Sequence, residues 1–387
     1  MRTTADPNKI HADVDDTFIS AEELRAISNR FATPWFLYDE KQLRQRAELL
    51  HNLFHLPEHK HYIPVCRCPH MALLRLYREL GYGAQCCTPE ELRLALDCGF
   101  RGEDILYATM SLSQEFANIL ADLQVGLLAG STMALNHRLP DSVYLLVQLP
   151  TKRNRPGASK VERYRQGINA EELPKIAQDL RKRGVPRVGL WHRYEGNVTE
   201  EDFLSDRMNK LKSLCEDMAE QGAEISAFHM DGGLGVAFDR YKPKRIDLDL
   251  LSKNVSAYVP FAHERISFSL GDFVLGPCAL YVTTVLAVER KANPAVIVDG
   301  TPSHIRFTSI DHYHHTSLAG MDWLNGRQMC SVYSNQAGNN EWLARGRLMH
   351  HPEENDIILM HDMGASIQSW ENCTVLFRDE NGKVGRL

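Results

Sequence analysis

Residues 82–108 read YGAQCCTPEELRLALDCGFRGEDILYA, a short apolar run followed by an amphipathic segment of helical length and a second apolar run. The runs at 82–86 and 104–108 have the length and composition of buried strands. Between them Leu recurs at three- and four-residue spacing, Thr88 suits an N-cap and Pro89 suits the first helical position. The stretch therefore predicts a strand, a helix and a second strand, with the two strands parallel.

The same alternation continues on both sides of this stretch, from about Lys41 to Ser269. Six further apolar runs have strand character, at 61–65, 125–130, 143–149, 188–191, 224–230 and 266–270. Eight parallel strands with helices between them fit a closed barrel better than an open sheet. We therefore predict an α/β fold with a (β/α)8 TIM barrel over residues 41–270.

The pattern changes after residue 270. Runs such as CALYVTTVLAVER, PAVIVDG and DIILMHDMG carry β-branched and aromatic residues between turn signals, and no long helix separates them. The early run WFLYD at 35–39 has the same character. We predict a second, antiparallel β domain formed by residues 1–40 and 271–387.

Composition narrows the class of partner. The 387 residues are 43% hydrophobic, which is enough for a full core, and the net charge of -6 comes from interspersed acids and bases. No basic surface run suggests nucleic acid, and no apolar run approaches the roughly 18 residues of a membrane helix. The start of the chain lacks an apolar signal core, so we expect a cytoplasmic protein with reduced cysteines and a small-molecule ligand.

Three motifs, in this order along the chain, carry a family resemblance. They are TPWFLYD from Thr33, LGYGAQCCTPEELRLALDCGF from Leu80 and HMDGGLGV from His229. With the strand YIPVCRCPH between the first two, the chain resembles the fold-type III pyridoxal phosphate (PLP) amino-acid decarboxylases, the diaminopimelate, ornithine and carboxynorspermidine decarboxylase group. The resemblance implies an alanine-racemase-like barrel followed by a β domain, an amino-acid or amine substrate, and a head-to-tail homodimer.

The residues that this family uses to hold PLP are changed here. The resemblance places Cys66 at the lysine that forms the imine with PLP, and a thiol cannot form that bond. Ser269 and Asp272 stand where the family has a carboxylate for the pyridine nitrogen and a cation near the phosphate, and Ser366 stands near the family's tyrosine. Lys60 lies at the other end of the strand, roughly 20 Å from residue 66 at about 3.3 Å per residue. PLP is therefore not expected.

Other parts of the family's site are kept or replaced. Gly232, Gly233 and Gly235 match a loop whose backbone amides approach a phosphate without a Cβ in the way. The family's ring-stacking histidine falls at or near Tyr194, within WHRYEGN. The resemblance therefore makes Tyr194 and its neighbour His192 candidate catalytic residues, although the glycines also suit a tight turn and Tyr194 also suits simple packing.

Four cysteines end two neighbouring barrel strands: Cys66 and Cys68 end the first, and Cys86 and Cys87 end the second. The ends of parallel strands lie side by side in a barrel, so these thiols are a candidate ligand set for a soft metal or for haem iron. Their spacing is not that of the usual structural zinc knuckle. Free cysteines are also common as small core hydrophobes, and that alternative stays open.

Three functions follow from these observations. The first is a repurposed, PLP-independent enzyme that acts on an amino acid or amine derivative, with Cys66 as the thiolate ligand of haem or another metal. The second is a non-catalytic pseudoenzyme that partners or regulates a true decarboxylase. The third is a PLP-dependent decarboxylase with a non-standard nucleophile.

Overall fold

The computed structural model describes residues 18–56, 58–147, 167–236, 246–257, 265–290, 294–306, 314–320, 328–337 and 342–387. Its helices are α1 Ala21–Arg30, α2 Glu40–Leu53, α3 Met71–Glu79, α4 Pro89–Asp97, α5 Gln114–Asp122, α6 Leu173–Lys182, α7 Phe203–Glu220, α8 Leu248–Ser256 and α9 Gly271–Leu275. None of the helices in these ranges is long and apolar enough to cross a membrane.

The strands are β1 Trp35–Asp39, β2 His59–Pro64, β3 Gly83–Cys86, β4 Ile105–Thr109, β5 Gly126–Ala129, β6 Ser142–Leu146, β7 Arg187–Val198, β8 Ala227–Leu234, β9 Arg265–Ser269, β10 Ala279–Glu289, β11 Ala295–Val298, β12 Thr316–Leu318, β13 Gln328–Ser334, β14 Trp342–Met349, β15 Ile357–Met360, β16 Thr374–Arg378 and β17 Val384–Arg386. Strands β2 to β9 form a closed barrel in chain order, with each neighbouring pair parallel. The predicted (β/α)8 barrel is confirmed, and residues 148–149 of one predicted strand lie outside the described residues.

The stretch at 82–108 folds as predicted into β3, α4 and β4. The Thr88 hydroxyl accepts a hydrogen bond from the Glu91 amide at 3.2 Å, and Pro89 takes the first helical turn. The Glu91 carboxylate in turn accepts from the Cys87 amide at 2.6 Å. This reciprocal cap satisfies backbone donors that the helix cannot satisfy itself, and it holds the segment after β3 against the helix.

Side chains alternate between two environments along the barrel strands. One set packs inside the barrel and includes Tyr62, Leu106, Leu128, Tyr144 and Trp191. The other set faces the surrounding helices as part of the main core, for example Leu127, Leu145, Leu190 and Phe228. The interior is therefore filled with side chains, and only residues near the strand ends are open to solvent.

The remaining strands form a second sheet in the order β14, β13, β11, β10, β1, β16 and β17, with β15 paired to both β10 and β12. Strand β1, from the early WFLYD run, lies between β10 and β16. The sheet is mixed where we predicted an antiparallel one, because β1 runs parallel to β16 and β11 runs parallel to β13. The division at residues 40 and 270 remains our interpretation of this arrangement.

Replacing Thr88 by Ala should lower the free energy of unfolding by about 1 kcal/mol, because the α4 cap loses its acceptor. Thr88→Ser keeps the hydroxyl and should lie within about 0.5 kcal/mol of the parent protein. Chemical denaturation of the three proteins measures the difference. Equal losses in both variants would show that the cap does not stabilise this helix.

Candidate functional site

The candidate site lies where the carboxyl ends of the barrel strands meet. Strand β2 ends in a helical turn, Val65–Arg67, that carries Cys66 at the surface. Strand β3 ends at Cys86 and is followed by Cys87, which is also exposed. Strands β8 and β9 bring Asp231 and Ser269 to the same level, in register with each other. In barrels of this kind the carboxyl end of the strands is where active sites form.

A chain of polar contacts runs from this end into the barrel interior. Gln85 Nε2 donates to Asp231 Oδ2 at 2.9 Å, and Gln85 Oε1 lies 3.3 Å from His229 Nε2. His229 Nδ1 lies 2.8 Å from Ser267 Oγ, which in turn is 3.1 Å from the Phe228 carbonyl oxygen. His229 is fully buried, so its burial lowers its pKa to about 3 and the ring is neutral at ordinary pH.

Asp231 is the carboxylate at the outer end of this chain. Burial raises its pKa, while the positive charge of Arg193, the hydrogen bond from Gln85 and the charge of Arg67 act in the opposite direction. Arg193 stands opposite Asp231 in the pairing of β7 with β8. Gln85 and Arg193 are not among the predicted site residues, although the period-two alternation of each strand predicts an inward position for both.

A second charged pair flanks the site. Arg67 and Asp272 form an ion pair with 3.2 Å between nitrogen and oxygen. Burial raises the pKa of Asp272, and the charges of Arg67 and Arg306 oppose that shift. The backbone amide of Arg306 donates to the carbonyl oxygen of buried Ser366 at 2.6 Å. Asp272 therefore faces a cation that comes from residue 67, directly after the predicted lysine position at Cys66.

Cys66 and Cys87 are partly open to solvent, and charged groups lie near their thiols. The surrounding protein desolvates the thiol of Cys66 and raises its pKa, as does the charge of Glu91, whereas Arg67 and Arg306 act to lower it. Desolvation and the neighbouring Cys66 raise the pKa of Cys87 to about 12. Both thiols are therefore neutral at ordinary pH.

The four-cysteine metal site is not supported by this geometry. Within the described ranges, no group of three or more His, Cys, Asp or Glu side chains is placed to hold a metal ion. Cys68 is fully buried with its Sγ 3.9 Å from the Pro64 carbonyl oxygen, and burial raises the pKa of Cys68 and of Cys86 well above the usual value. Buried neutral thiols favour the core-residue alternative for Cys68 and Cys86 over a role as ligands.

The catalytic roles of His192 and Tyr194 remain predictions, and the structure shows where the two side chains lie. Both face the helix layer, because Trp191 and Arg193 take the inward positions on either side of His192. The Tyr194 ring contacts Phe203 of α7, with 5.0 Å between ring centroids. Burial and the charge of Arg207, also on α7, lower the pKa of His192 to about 3. Their positions suit packing between β7 and α7.

The glycine loop has a clear structural requirement. Gly232 has φ +70°, and a Cβ there would lie 2.6 Å from the Tyr194 carbonyl oxygen. A Cβ on Gly235 would lie 1.8 Å from the side-chain oxygen of Asn197. The segment that contains these glycines lies so close to β7 that a side chain at either position would collide with it. Binding of a phosphate by Gly232, Gly233 and Gly235 remains a prediction.

Ser269 differs from its polar neighbours on β9. It is 1% exposed, and its hydroxyl has no hydrogen-bond partner within the described ranges. A buried hydroxyl without a partner costs free energy, so a polar group in this position usually meets water or a ligand. Its register opposite Asp231 adds it to the candidate site.

Comparison with known proteins identifies the class. Residues 40–267 match the model of the pyridoxal-dependent decarboxylase family, pyridoxal binding domain, and the chain belongs to this family. It is 25% identical over 359 residues to protein TabA of Pseudomonas amygdali pv. tabaci, which covers 88% of this chain and 83% of TabA. It is 24% identical to the L-glutamyl-[BtrI acyl-carrier protein] decarboxylase of Niallia circulans, over 73% of this chain and 70% of that protein.

Solved structures confirm the fold. Diaminopimelate decarboxylase from Helicobacter pylori, complexed with L-lysine, superposes with a TM-score of 0.80 at 15% identity, over 94% of this chain and 95% of that one. The M. jannaschii diaminopimelate decarboxylase, also with L-lysine, gives a TM-score of 0.80 at 16% identity, over 93% and 90%. At this identity the likeness shows the shared barrel and second sheet.

The residues at the candidate site do not fit a lysine-anchored PLP. Cys66 offers a thiol and no amine, and Lys60 makes a short ion pair with Asp104 at the opposite end of β2. The Ser269 hydroxyl cannot supply the charge of a carboxylate, and Asp272 already has Arg67 as its partner. We therefore derive no chemical step through PLP.

Replacing Asp231 by Asn should raise the melting temperature at neutral pH, because the variant removes a carboxylate whose ionised form is disfavoured by burial. A carboxyl with a raised pKa stabilises the fold below its unfolded pKa of about 3.9, and that contribution is lost as pH rises through its folded pKa. The gain should therefore shrink as the pH falls towards about 4. Thermal unfolding at several pH values measures it.

The matched control is Asp104→Asn, an acid at the amino end of the barrel whose pKa is lowered through its contacts with Lys60 and Arg101. It should lower the melting temperature at neutral pH. A lower melting temperature for Asp231→Asn at every pH would contradict the electrostatic description of the site.

Proposed function

We propose that this chain binds an amino acid or amine derivative at the carboxyl end of the barrel and acts on it without lysine-bound PLP. The observation that carries the proposal is the polar group that the strand ends bring together, formed by Asp231, bonded to Gln85 at 2.9 Å, and by the Arg67–Asp272 ion pair at 3.2 Å. The charge of Arg306 also acts at Asp272 and at Cys66. Acids and cations at one end of a barrel suit a ligand that carries both a carboxylate and an ammonium group.

The family relationship supports the substrate class. Relatives of this chain are named as decarboxylases of diaminopimelate and of a carrier-bound glutamyl group, both of them amino-acid derivatives. Independence from PLP is supported by the thiol at position 66 and by the Arg67–Asp272 pair. Arg306 would bind the ligand carboxylate, Asp231 would bind its ammonium group, and Cys66 would stand between them.

Binding should therefore depend separately on the two charge signs. Arg306→Gln should weaken binding of an amino acid about tenfold and leave binding of the corresponding decarboxylated amine unchanged, because only the carboxylate loses a charged partner. Asp231→Asn should weaken both ligands. Isothermal calorimetry with lysine and cadaverine as probes measures the two affinities.

The matched control is Arg101→Gln, an exposed arginine at the amino end of the barrel. It should leave both affinities unchanged. Equal effects of Arg101→Gln and Arg306→Gln, or no binding of any amino acid or amine to the parent protein, would contradict the proposed site. The absence of all binding would instead favour a pseudoenzyme that partners a true decarboxylase.

Incubation with PLP followed by borohydride reduction tests independence from a lysine imine. The parent protein should give no stoichiometric pyridoxyl adduct at any single lysine, because Cys66 cannot form a reducible imine and exposed lysines are labelled only partially and at many positions. The variant Cys66→Lys should give a stoichiometric pyridoxyl adduct at residue 66 if this position faces a PLP-sized site. Peptide mass spectrometry locates and quantifies the adducts, and a stoichiometric adduct at one lysine of the parent protein would overturn PLP independence.

The absorbance spectrum of the untreated protein addresses the remaining alternative, in which Cys66 ligates haem or another metal. Our proposal predicts no Soret band and no stoichiometric metal. A Soret band that is lost in Cys66→Ala would replace our proposal with the haem-thiolate alternative.

Cytoplasmic residence and a head-to-tail homodimer remain expectations from the sequence. Light scattering measures the assembly state.

A further inference from the structure

The contacts inside the barrel require a specific placement of protons. The amide of Gln85 bridges Asp231 and His229, so its nitrogen and oxygen each face one neighbour. An amide nitrogen only donates and an amide oxygen only accepts, whereas a neutral imidazole donates from one nitrogen and accepts at the other. The orientation of Gln85 therefore fixes the tautomer of His229.

When Asp231 is ionised, one arrangement satisfies the chain. Gln85 Nε2 donates to Asp231 Oδ2 at 2.9 Å, and His229 carries its proton on Nε2 and donates to Gln85 Oε1. His229 Nδ1 then accepts from the hydroxyl of Ser267 at 2.8 Å. The single hydroxyl proton of Ser267 is used in this bond, so Ser267 does not donate to the Phe228 carbonyl oxygen.

When Asp231 is protonated, the opposite arrangement satisfies the same atoms. Asp231 donates to the amide oxygen of Gln85, and the amide nitrogen donates to His229 Nε2. His229 then carries its proton on Nδ1 and donates to Ser267 Oγ. The Ser267 hydroxyl proton is free to bond the Phe228 carbonyl oxygen, which lies 3.1 Å away. The two arrangements differ by one proton taken from solvent, and His229 is neutral in both.

We propose that Asp231, Gln85, His229 and Ser267 form a proton-responsive relay, in which protonation of Asp231 turns the Gln85 amide over and switches the tautomer of His229. The relay holds Asp231 hydrogen-bonded in either charge state, so the carboxyl group can take up or release a proton at the site without leaving a buried polar group unsatisfied. The inference that an ammonium ligand selects the ionised arrangement rests on the proposed function.

The surroundings of His229 favour a change of its tautomer over a change of its charge. His229 is fully buried, and its ring makes edge contacts with Tyr62 and Tyr144, with centroid distances of 5.8 and 6.2 Å. Asp231 by contrast faces charged and titratable groups: Arg193 on β7, Arg67 and Cys66 after β2, and Cys87 after β3. The charge of the relay therefore changes at its outer end.

Nitrogen NMR of protein labelled in its histidine rings tests the relay, since the two ring nitrogens have different shifts when protonated and unprotonated. Asp231 is followed by the carbon shift of its carboxyl group, from about pH 3 to about pH 9. The His229 nitrogens should exchange their protonated and unprotonated shifts with the same midpoint as the Asp231 titration. A fixed His229 tautomer while Asp231 titrates, a charged His229, or an Asp231 that does not titrate would each overturn the proposal.

Two variants sharpen the test. Asp231→Asn removes the titrating group, so the tautomer of His229 should no longer depend on pH. Gln85→Met cuts the relay in the middle, so Asp231 should titrate at a higher pH while His229 loses its response. His61 is an internal control, because it is buried, its pKa is lowered to about 3, and its ring nitrogens have no hydrogen-bond partner in the described part of the chain. Its signals should not follow Asp231.

Added cadaverine distinguishes the relay from the proposed function. Near the midpoint it should shift His229 towards the tautomer seen at high pH, because the ammonium group stabilises ionised Asp231. A relay that responds to pH but not to cadaverine would overturn the ligand-coupled part of the inference and leave the relay itself supported.

Discussion

Closure of eight parallel strands into a barrel sends alternate side chains inward, and the site depends on this alternation. On β8 it places His229 and Asp231 inside, two residues apart, and on β9 it places Ser267 and Ser269 beside them in register. A shift of one residue would exchange these polar groups for Phe228 and Met230, which pack in the helix-facing core. The registers of β8 and β9 therefore determine whether a polar relay exists at all.

The fold could be predicted from sequence because it repeats a local pattern. Each βα unit has an apolar run, a capped amphipathic helix and a turn, and the unit at 82–108 shows all three in 27 residues. The strand order and strand directions of the second sheet were harder to predict. The β1 strand lies some 240 residues before its partner β10, and nothing local to either sequence sets whether neighbouring strands run parallel or antiparallel.

The sequence predicts the position of a site residue only where that residue directly follows a barrel strand. Cys66 and Cys87 do lie at the predicted end of the barrel. On β7 the family resemblance points to Tyr194, which contacts Phe203 of α7, whereas Arg193 stands opposite Asp231, just before a register irregularity that begins after Tyr194. Arg306 could not be found from motifs, because it lies 240 residues after Cys66 and acts on that thiol only through its charge, in a position set by its backbone hydrogen bond to Ser366.

Positively charged neighbours offset the cost of burying the two acids of the site, Asp231 and Asp272. An isolated carboxylate in a desolvated position favours its neutral form, and both Asp231 and Asp272 show that tendency. Arg67 acts on both, since it pairs with Asp272 and also opposes the shift at Asp231. A ligand carboxylate bound by Arg306 would reduce the effect of that cation on Asp272 and favour protonation of Asp272. A ligand ammonium group near Asp231 would favour the ionised form of Asp231, so the two ends of an amino acid would act in opposite directions on the two acids of the site.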